Sequence, residues 1–423
     1  MYKWLKDLFP LNRSLTGEGN RLTINYFKKI NPELKSIKFQ SNTKVFDWII
    51  PLEWNVKDAY IKHIKSKKKY AEFKKNNLHL VGYSYPQKKI MNLNELKNKI
   101  HTDKKDQDAI PYVTSYYKKD WGFSLSRKQK RNLPTGKYEV VIDSTLTKGH
   151  LDMCHGILKG RSNKEIMFSS YICHPSMANN ELSGPVLLNA IMQYIKKNYK
   201  KNYYTYRFLL TSETIGSVAY LSKYFKHLKS KVLCGYNLSC VGDERSYSHI
   251  KSPTGDNLAD ISLSSSLINL KPLKEYSFLH RGSDERQYCS PRINLPFCTF
   301  SKSKFGEYPE YHTSKDNLSL VTEKGLHESL DVFKNIIDAF ENGAIPKNKV
   351  MCEPHLSKYN LYPTISTKNN YTSKLNTRLD LIAYSDGKRS IFQIAKLIQK
   401  PLFEINKELK LLARKKILSV KHI

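Results

Sequence analysis

Between about residues 135 and 345 one pattern repeats. A short, nearly continuous apolar run is followed by a stretch whose apolar residues recur at helical spacing. KYEVVIDS, HGILKG and EIMFSSYI read as strands, and SGPVLLNAIMQYIKK reads as a helix. YTYRFLLTS and IGSVAYLSKYF repeat the pair. KVLCGYNLSCVG and LPFCTFS are further strands, and a long helix around GLHESLDVFKNIIDAFENG closes the series. Strands without a polar face need cover on both sides, so the pattern predicts an α/β fold with helices on both faces of one sheet. Ligands of such sheets gather beyond the carboxyl ends of the strands. The residues directly after each strand are therefore the candidates for chemistry.

The flanks have other textures. Residues 14–31 read as a first helix, with Ser14 able to cap it and Leu22, Ile24, Tyr26 and Phe27 able to pack. Residues 41–130 carry short strand-like runs (KVFDWII, HLVGYSY, YVTSYY) between polar turns, with one helical piece, LNELKNKI. They read as a small β-rich domain inserted into a core made of 1–40 and 131–346. Residues 347–376, rich in Pro, Asn and Thr, read as a linker. Residues 377–423 read as a three-helix unit with a turn at Ser385-Asp386-Gly387 and room for one short strand after Leu418. This tail is similar at fold level to a winged helix, and its expected role is packing or homo-oligomer formation.

Charge and cysteine usage narrow the function classes. The formal charge of +33 arises from 71 Lys and Arg against 38 Asp and Glu, a balance that suits polyanions. Yet the cations spread along the whole chain, and the densest run, Lys65 to Lys75, lies in a turn-like region. Nucleic acid is not the expected partner. The 7 cysteines include no CxxC pair, the pattern of reduced, buried thiols. No apolar window is long enough for a membrane span, and the first residues lack the plan of a signal peptide. The expected location is the cytoplasm.

Polar groups after the predicted strands form an ordered set. His174 follows EIMFSSYI, with Asn180 and Glu181 in the next loop. Glu213 follows YTYRFLLTS, Asp243 follows KVLCGYNLSCVG, and His312 lies in EYPEYHTSKDN beyond LPFCTFS. Two imidazoles among carboxylates suit a zinc ion, because neutral imidazole supplies nitrogen ligands and a catalytic site keeps one position open for water. A carboxylate that is not itself a ligand can take a proton from that water. Glu213, at a strand end before the turn TIGS, is placed to do so. Asp316, four residues beyond His312, is a candidate to orient that imidazole.

HPSMANNELSG, SETIGS, NLSCVGDE and YHTSKDN, in this order and these contexts, resemble the zinc-dependent aminopeptidases. The chain is similar nearly end to end to a bacterial family of aminopeptidase-like-domain proteins linked to polysaccharide biosynthesis. The shared stretches include RSLTGEGNR, VFDWIIPLEWNVKDAYI and IPYVTSYY, together with the core and the tail. The resemblance implies a mixed sheet with helices on both faces, His174 and His312 as metal ligands, and Glu213 as general base. Three positions depart from the two-zinc enzymes. Asn180 stands where they have a bridging aspartate, Thr214 where they have a ligand glutamate, and Ser239 near their ligand aspartate. Losing three negative ligands leaves two divalent ions poorly compensated, so one zinc ion is expected. It would sit on His174 and His312, with the weak amide ligand Asn180 nearby, completed by Asp243, Glu181 or Asp284. Tyr311, Arg286 and Asp284 are candidates to hold substrate.

These readings point to metal-dependent hydrolysis of an amide in a small peptide or an N-acyl amino sugar, within surface polysaccharide biosynthesis. The alternative is a non-catalytic binding or scaffold protein that keeps the peptidase fold. A nucleic-acid-binding regulator that uses the tail is a third reading.

Overall fold

The computed structural model describes residues 1–362 and 373–423, so residues 363–372 of the expected linker lie outside the described residues. Eight strands form the main sheet: β1 (Leu34–Gln40), β2 (His150–Leu158), β3 (Glu165–Tyr171), β4 (Thr205–Thr211), β5 (Val232–Leu238), β6 (Tyr247–Ile250), β7 (Leu273–Tyr276) and β8 (Phe297–Ser301). Their spatial order is β1-β2-β4-β3-β5-β8-β6-β7. The four central strands β4, β3, β5 and β8 run parallel. β2 joins β4 antiparallel, and β6 joins β8 antiparallel. The sheet is therefore mixed, as the resemblance implies.

β3 and β4 are buried at every position, because both faces are covered. Ile166 and Phe168 of β3 pack with helices α1 (Glu18–Ile30), α2 (Ser183–Asn198), α4 (Leu258–Leu267) and α5 (Glu323–Glu341). Met167, between them in sequence, faces α3 (Ile215–Lys231) and the inserted domain. Such alternation is the two-residue period of a strand. Phe168 lies 5.5 Å from Phe208, 5.4 Å from Tyr236 and 5.5 Å from Phe333, an aromatic cluster that ties three strands to α5.

Helix α2 starts hard against the sheet. A Cβ on Gly184 would lie 2.4 Å from the Leu238 carbonyl oxygen and 2.3 Å from Ser170 Oγ. Gly184→Ala is expected to destabilise the protein by about 1–3 kcal/mol, read by chemical denaturation. Unchanged stability would mean that this helix start can shift freely. Helix α1 begins at Glu18 and not at the expected residue 14, because Gly17 holds φ at +108° with the Trp54 carbonyl 2.4 Å from where its Cβ would be.

The insertion is built on a four-stranded antiparallel sheet. Glu53–His63 pairs with Lys69–Tyr70 on one side and with Lys137–Thr147 on the other, and Gln87–Asn92 completes it. Lys137–Thr147, which the alternation assigns to the core, thus belongs to the insertion's sheet. Its inward residues Tyr138, Val140 and Ile142 pack with Trp54, Ala59 and Ile61.

Arg21 of α1 fastens insertion to core. It donates to Glu53 at 2.6 Å, to Asp152 of β2 at 3.0 Å and to Glu18 at 2.8 Å. Burial pushes the Glu53 carboxyl up, but donors from Arg21, Asn55 and the His150 backbone outweigh it and hold the group at about 2, below its ordinary 4.5. A depressed carboxylate stabilises the fold above its unfolded pKa and loses that contribution as pH falls through the folded one. Stability should therefore drop between pH 4.5 and about 2. Arg21→Met should flatten that drop in unfolding midpoints measured against pH, and an unaltered slope would refute the assignment.

The tail comprises helices Ser373–Ala383, Ile391–Ile398 and Leu402–Arg414 and a strand Leu418–Lys421. That strand pairs antiparallel with Ile345–Asn348, so the start of the expected linker is part of the unit. The tail packs on the core: Phe392 lies 4.8 Å from Phe340 of α5, and His422 stacks on Tyr203 at 3.5 Å. Among the described residues, no helix is long and apolar enough to cross a membrane.

Candidate active site

Parallel strands in register end at one rim. Cys173 and His174 leave β3, Glu213 leaves β4, and Ser239 and Cys240 leave β5, while His312 comes from the loop between β8 and α5. The rings of His174 and His312 lie 5.2 Å apart, centre to centre, with planes at 44°. His174 Nε2 is 4.0 Å from Glu213 Oε2, and the other Glu213 oxygen accepts from Ser283 Oγ at 2.7 Å. Burial pushes the Glu213 carboxyl above its ordinary range, against the pull of His174, Ser283 and Arg286. Burial and the neighbouring His174 hold His312 well below the usual range, so it is a neutral imidazole.

Asp316 shapes the asparagine loop. Its carboxylate accepts the backbone N–H groups of Ala178 at 3.1 Å, Asn179 at 2.6 Å and Asn180 at 2.9 Å, and the Tyr308 hydroxyl at 2.7 Å. The expectation that Asp316 orients His312 is corrected by this geometry, since both its oxygens hold the loop and Tyr308. Asn180 does meet His312: its Oδ1 is 3.1 Å from His312 Nε2. Its Nδ2 donates to the Tyr171 hydroxyl at 2.6 Å, which lies 2.6 Å from Ser239 Oγ. Ser239, Tyr171, Asn180 and His312 form one hydrogen-bonded chain.

The three carboxylates considered as completing ligands lie in different settings. Glu181 is fully buried, accepts the His174 backbone N–H and pairs with the equally buried Arg13. Its carboxylate faces His174 Nδ1 at 3.4 Å, the side of the ring away from the Nε2 contact with Glu213. Donor atoms of Cys173, His174 and Glu181 lie within 4.8 Å of one another. Arg13 already neutralises that carboxylate, however, and burial pushes the Cys173 thiol well up. Glu181 is thus suited to orient His174 and not to ligate. Asp243 is spent on Asn179 Nδ2 at 2.9 Å, the Arg245 N–H at 2.9 Å, and the Ser303 N–H and Oγ at 3.0 and 2.8 Å. Asp284 Oδ1 accepts the Thr214 N–H at 2.7 Å and Ser217 Oγ at 2.8 Å, while its buried Oδ2 has no hydrogen-bond partner among the described residues. Burial, with the charge of Glu213, raises Asp284 to about 7.

The candidate substrate-holding residues border the same space. Arg286 is exposed and donates to Thr214 Oγ1. Tyr311 stacks on His312 at 3.9 Å and 11°. Two neighbours that sequence reasoning assigned no role come from the insertion. The Tyr112 ring lies 5.1 Å from His174 and 5.1 Å from His312, its N–H donates to the His312 carbonyl at 2.8 Å, and its hydroxyl is 2.9 Å from that of Tyr116. The signal available was IPYVTSYY itself, an aromatic stretch in a region of polar turns.

The two histidines stand at the spacing of ligands that share a cation. Zinc binds imidazole nitrogen at about 2.0–2.1 Å, which sets two rings on a tetrahedral ion about 5 Å apart, centre to centre. His174 and His312 meet that spacing, and the 3.1 Å between His312 Nε2 and Asn180 Oδ1 suits adjacent ligands of the same ion. The donors are two imidazoles and an amide oxygen, with Glu213 beside them.

A family model described as a domain of unknown function, DUF4910, matches residues 2–343. The chain belongs to this family. A winged helix-turn-helix model matches residues 344–420. A Clostridium acetobutylicum protein with the provisional description "polysaccharide biosynthesis protein with aminopeptidase-like domain" is 40% identical over 400 residues, 93% of this chain and 90% of that protein. A crystal structure from the same organism, provisionally described as a peptidase, is 37% identical with a TM-score of 0.89, covering 99% of this chain and 95% of that one. A zinc aminopeptidase from Bacillus subtilis has a TM-score of 0.57 at 13% identity, covering 80% of this chain and 93% of that one. That last likeness shows the fold. This chain thus combines an aminopeptidase-like core with a winged-helix tail.

Proposed function

We propose that the chain is a single-zinc amide hydrolase acting on a small peptide or an N-acyl amino sugar in surface polysaccharide biosynthesis. The observation that carries the reading is the pair of imidazoles at the spacing of common ligands, with Glu213 Oε2 4.0 Å from His174 Nε2 and, among the described residues, no Lys or Arg salt-bridged to it. When bound by His174, His312 and Asn180, a zinc ion supplies Lewis acidity toward an amide carbonyl. Glu213 takes a proton from the attacking water at Oε2 and returns it to the departing nitrogen. Ser283 fixes Oε1, which keeps Oε2 turned toward His174. Tyr112 and Tyr311 cover the His312 ring and shield it from water. Arg286 gives the mouth a cation for an anionic group of the substrate.

The test is metal content and hydrolysis together. Protein purified without chelator should hold about one zinc per chain, lose it on His174→Ala, and cleave members of an aminoacyl and N-acyl-sugar library. Metal-free, inactive protein would instead favour a binding role. One observation supports that second reading: the Ser239–Tyr171–Asn180–His312 chain satisfies its polar groups without an ion.

A further inference from the structure

A second cleft opens on the inserted domain. It encloses ≈ 660 Å³, and Tyr83, Tyr85, Tyr116 and Tyr117 line it with Leu52 and Ile49. Pockets of about 300–1,000 Å³ bury a ligand of two or three rings. The tyrosines offer ring faces, the apolar contact that a sugar ring takes, while the hydroxyls of Tyr83, Tyr116 and Tyr117 are bonded to Thr16, Tyr112 and Ile49. Trp48 extends the aromatic surface, 6.4 Å from the Tyr117 ring, and the Tyr117 hydroxyl donates to the Ile49 carbonyl at 2.9 Å, pinning the strand Trp48–Ile49, which pairs with Lys44–Val45, beside the cleft. Tyr117 is 55% exposed and Trp48 38%.

The charge at the rim has one sign. Lys118 and Lys119 line the cleft and, among the described residues, no carboxylate does. The next residue, Asp120, is held by Lys99 at 2.7 Å. The inner wall is Tyr116, whose hydroxyl is 2.9 Å from that of Tyr112, and the Tyr112 ring lies on both His174 and His312. Two side chains separate the cleft from the candidate active site.

We propose that this cleft binds an anionic saccharide. Resting on the hydrolase reading, the bound sugars are the non-reacting part of the substrate whose amide lies at Glu213. Aromatic faces carry the rings, and Lys118 and Lys119 select a carboxylate or phosphate on them.

Calorimetry with Glu213→Gln protein, in which any turnover is slowed, tests the cleft directly. The probes are trigalacturonate, the neutral maltotriose and triglutamate. Trigalacturonate should bind, with maltotriose and triglutamate each at least about tenfold weaker. Tyr117→Ala, and separately the pair Lys118→Glu with Lys119→Glu, should each weaken trigalacturonate about tenfold. All three side chains are exposed, and unchanged unfolding midpoints would confirm that these variants fold. No binding at millimolar trigalacturonate, equal binding of maltotriose, tighter binding of triglutamate, or an affinity indifferent to both variants overturns the proposal. The two readings fail separately: a wild-type protein that hydrolyses nothing leaves the binding result standing, and a cleft that binds nothing leaves hydrolysis standing.

Discussion

Glu213→Gln is expected to lower kcat about 10²–10⁴-fold, the usual worth of a general base, while metal content and fold stay as they are. Glutamine has the shape of glutamate, and its amide oxygen can still accept from Ser283 Oγ, which lies 2.7 Å from Oε1. What it loses is the capacity to take a proton. Burial pushes the carboxyl above its ordinary value, so neutralising it removes a charge that the site holds at a cost, and stability should not fall. An interaction made only in the transition state lowers kcat and kcat/KM together. Steady-state kinetics on the preferred library substrate would show this. A kcat within about threefold of wild type would remove Glu213 from the chemistry.

Much of this architecture was legible because strands and helices write different periods into sequence. β3 and β4 are buried throughout and read as mostly apolar runs without a polar face, and the strand-end rule then pointed to His174 and Glu213. Lys137–Thr147 shows the limit of that reasoning. Its alternation of Tyr138, Val140 and Ile142 with polar residues marks a strand with one wet face, yet nothing local says which sheet it joins. The same holds for carboxylates. Asp243, Glu181 and Asp316 are all buried near strand ends, and only their partners separate a loop tie, an imidazole support and a backbone cap from a metal ligand. Asn179 and Ser303 lie 64 and 60 positions from Asp243, and the Asn179 N–H that Asp316 caps lies 137 positions from it. Tyr112 and Tyr116 escaped for a like reason: the insertion reaches across to the core rim through the Pro111–Thr313 bridge. Asn180 was legible as a departure from the two-zinc pattern, whereas its link through Tyr171 to Ser239 required coordinates.

Arg13→Met is expected to destabilise the protein by about 3–5 kcal/mol, because it strands the Glu181 carboxylate in the interior without its cation. Both side chains are at 0% exposure, and Arg13 Nη1 also donates to the Leu8 carbonyl at 2.6 Å. The pair is not expected to be strongly stabilising in itself, since burying two charges costs nearly what their attraction returns. Removing both charges in Arg13→Met with Glu181→Gln should therefore recover most of the loss, and the double-mutant cycle should yield a large coupling energy. The pair also bears on the candidate site. Glu181 holds the His174 backbone N–H and faces His174 Nδ1 at 3.4 Å, so a misplaced Glu181 should weaken zinc binding about 10–100-fold, as loss of a group that orients a ligand does. Denaturant unfolding and zinc titration on the single and double variants measure the two effects independently. A cost below about 1 kcal/mol for Arg13→Met, or a double variant no more stable than the single one, would show that Glu181 is not held as a charge. In that case the RSLTGEGNR stretch, which delivers Arg13 to the rim 168 positions from Glu181, would have no part in ordering the imidazole.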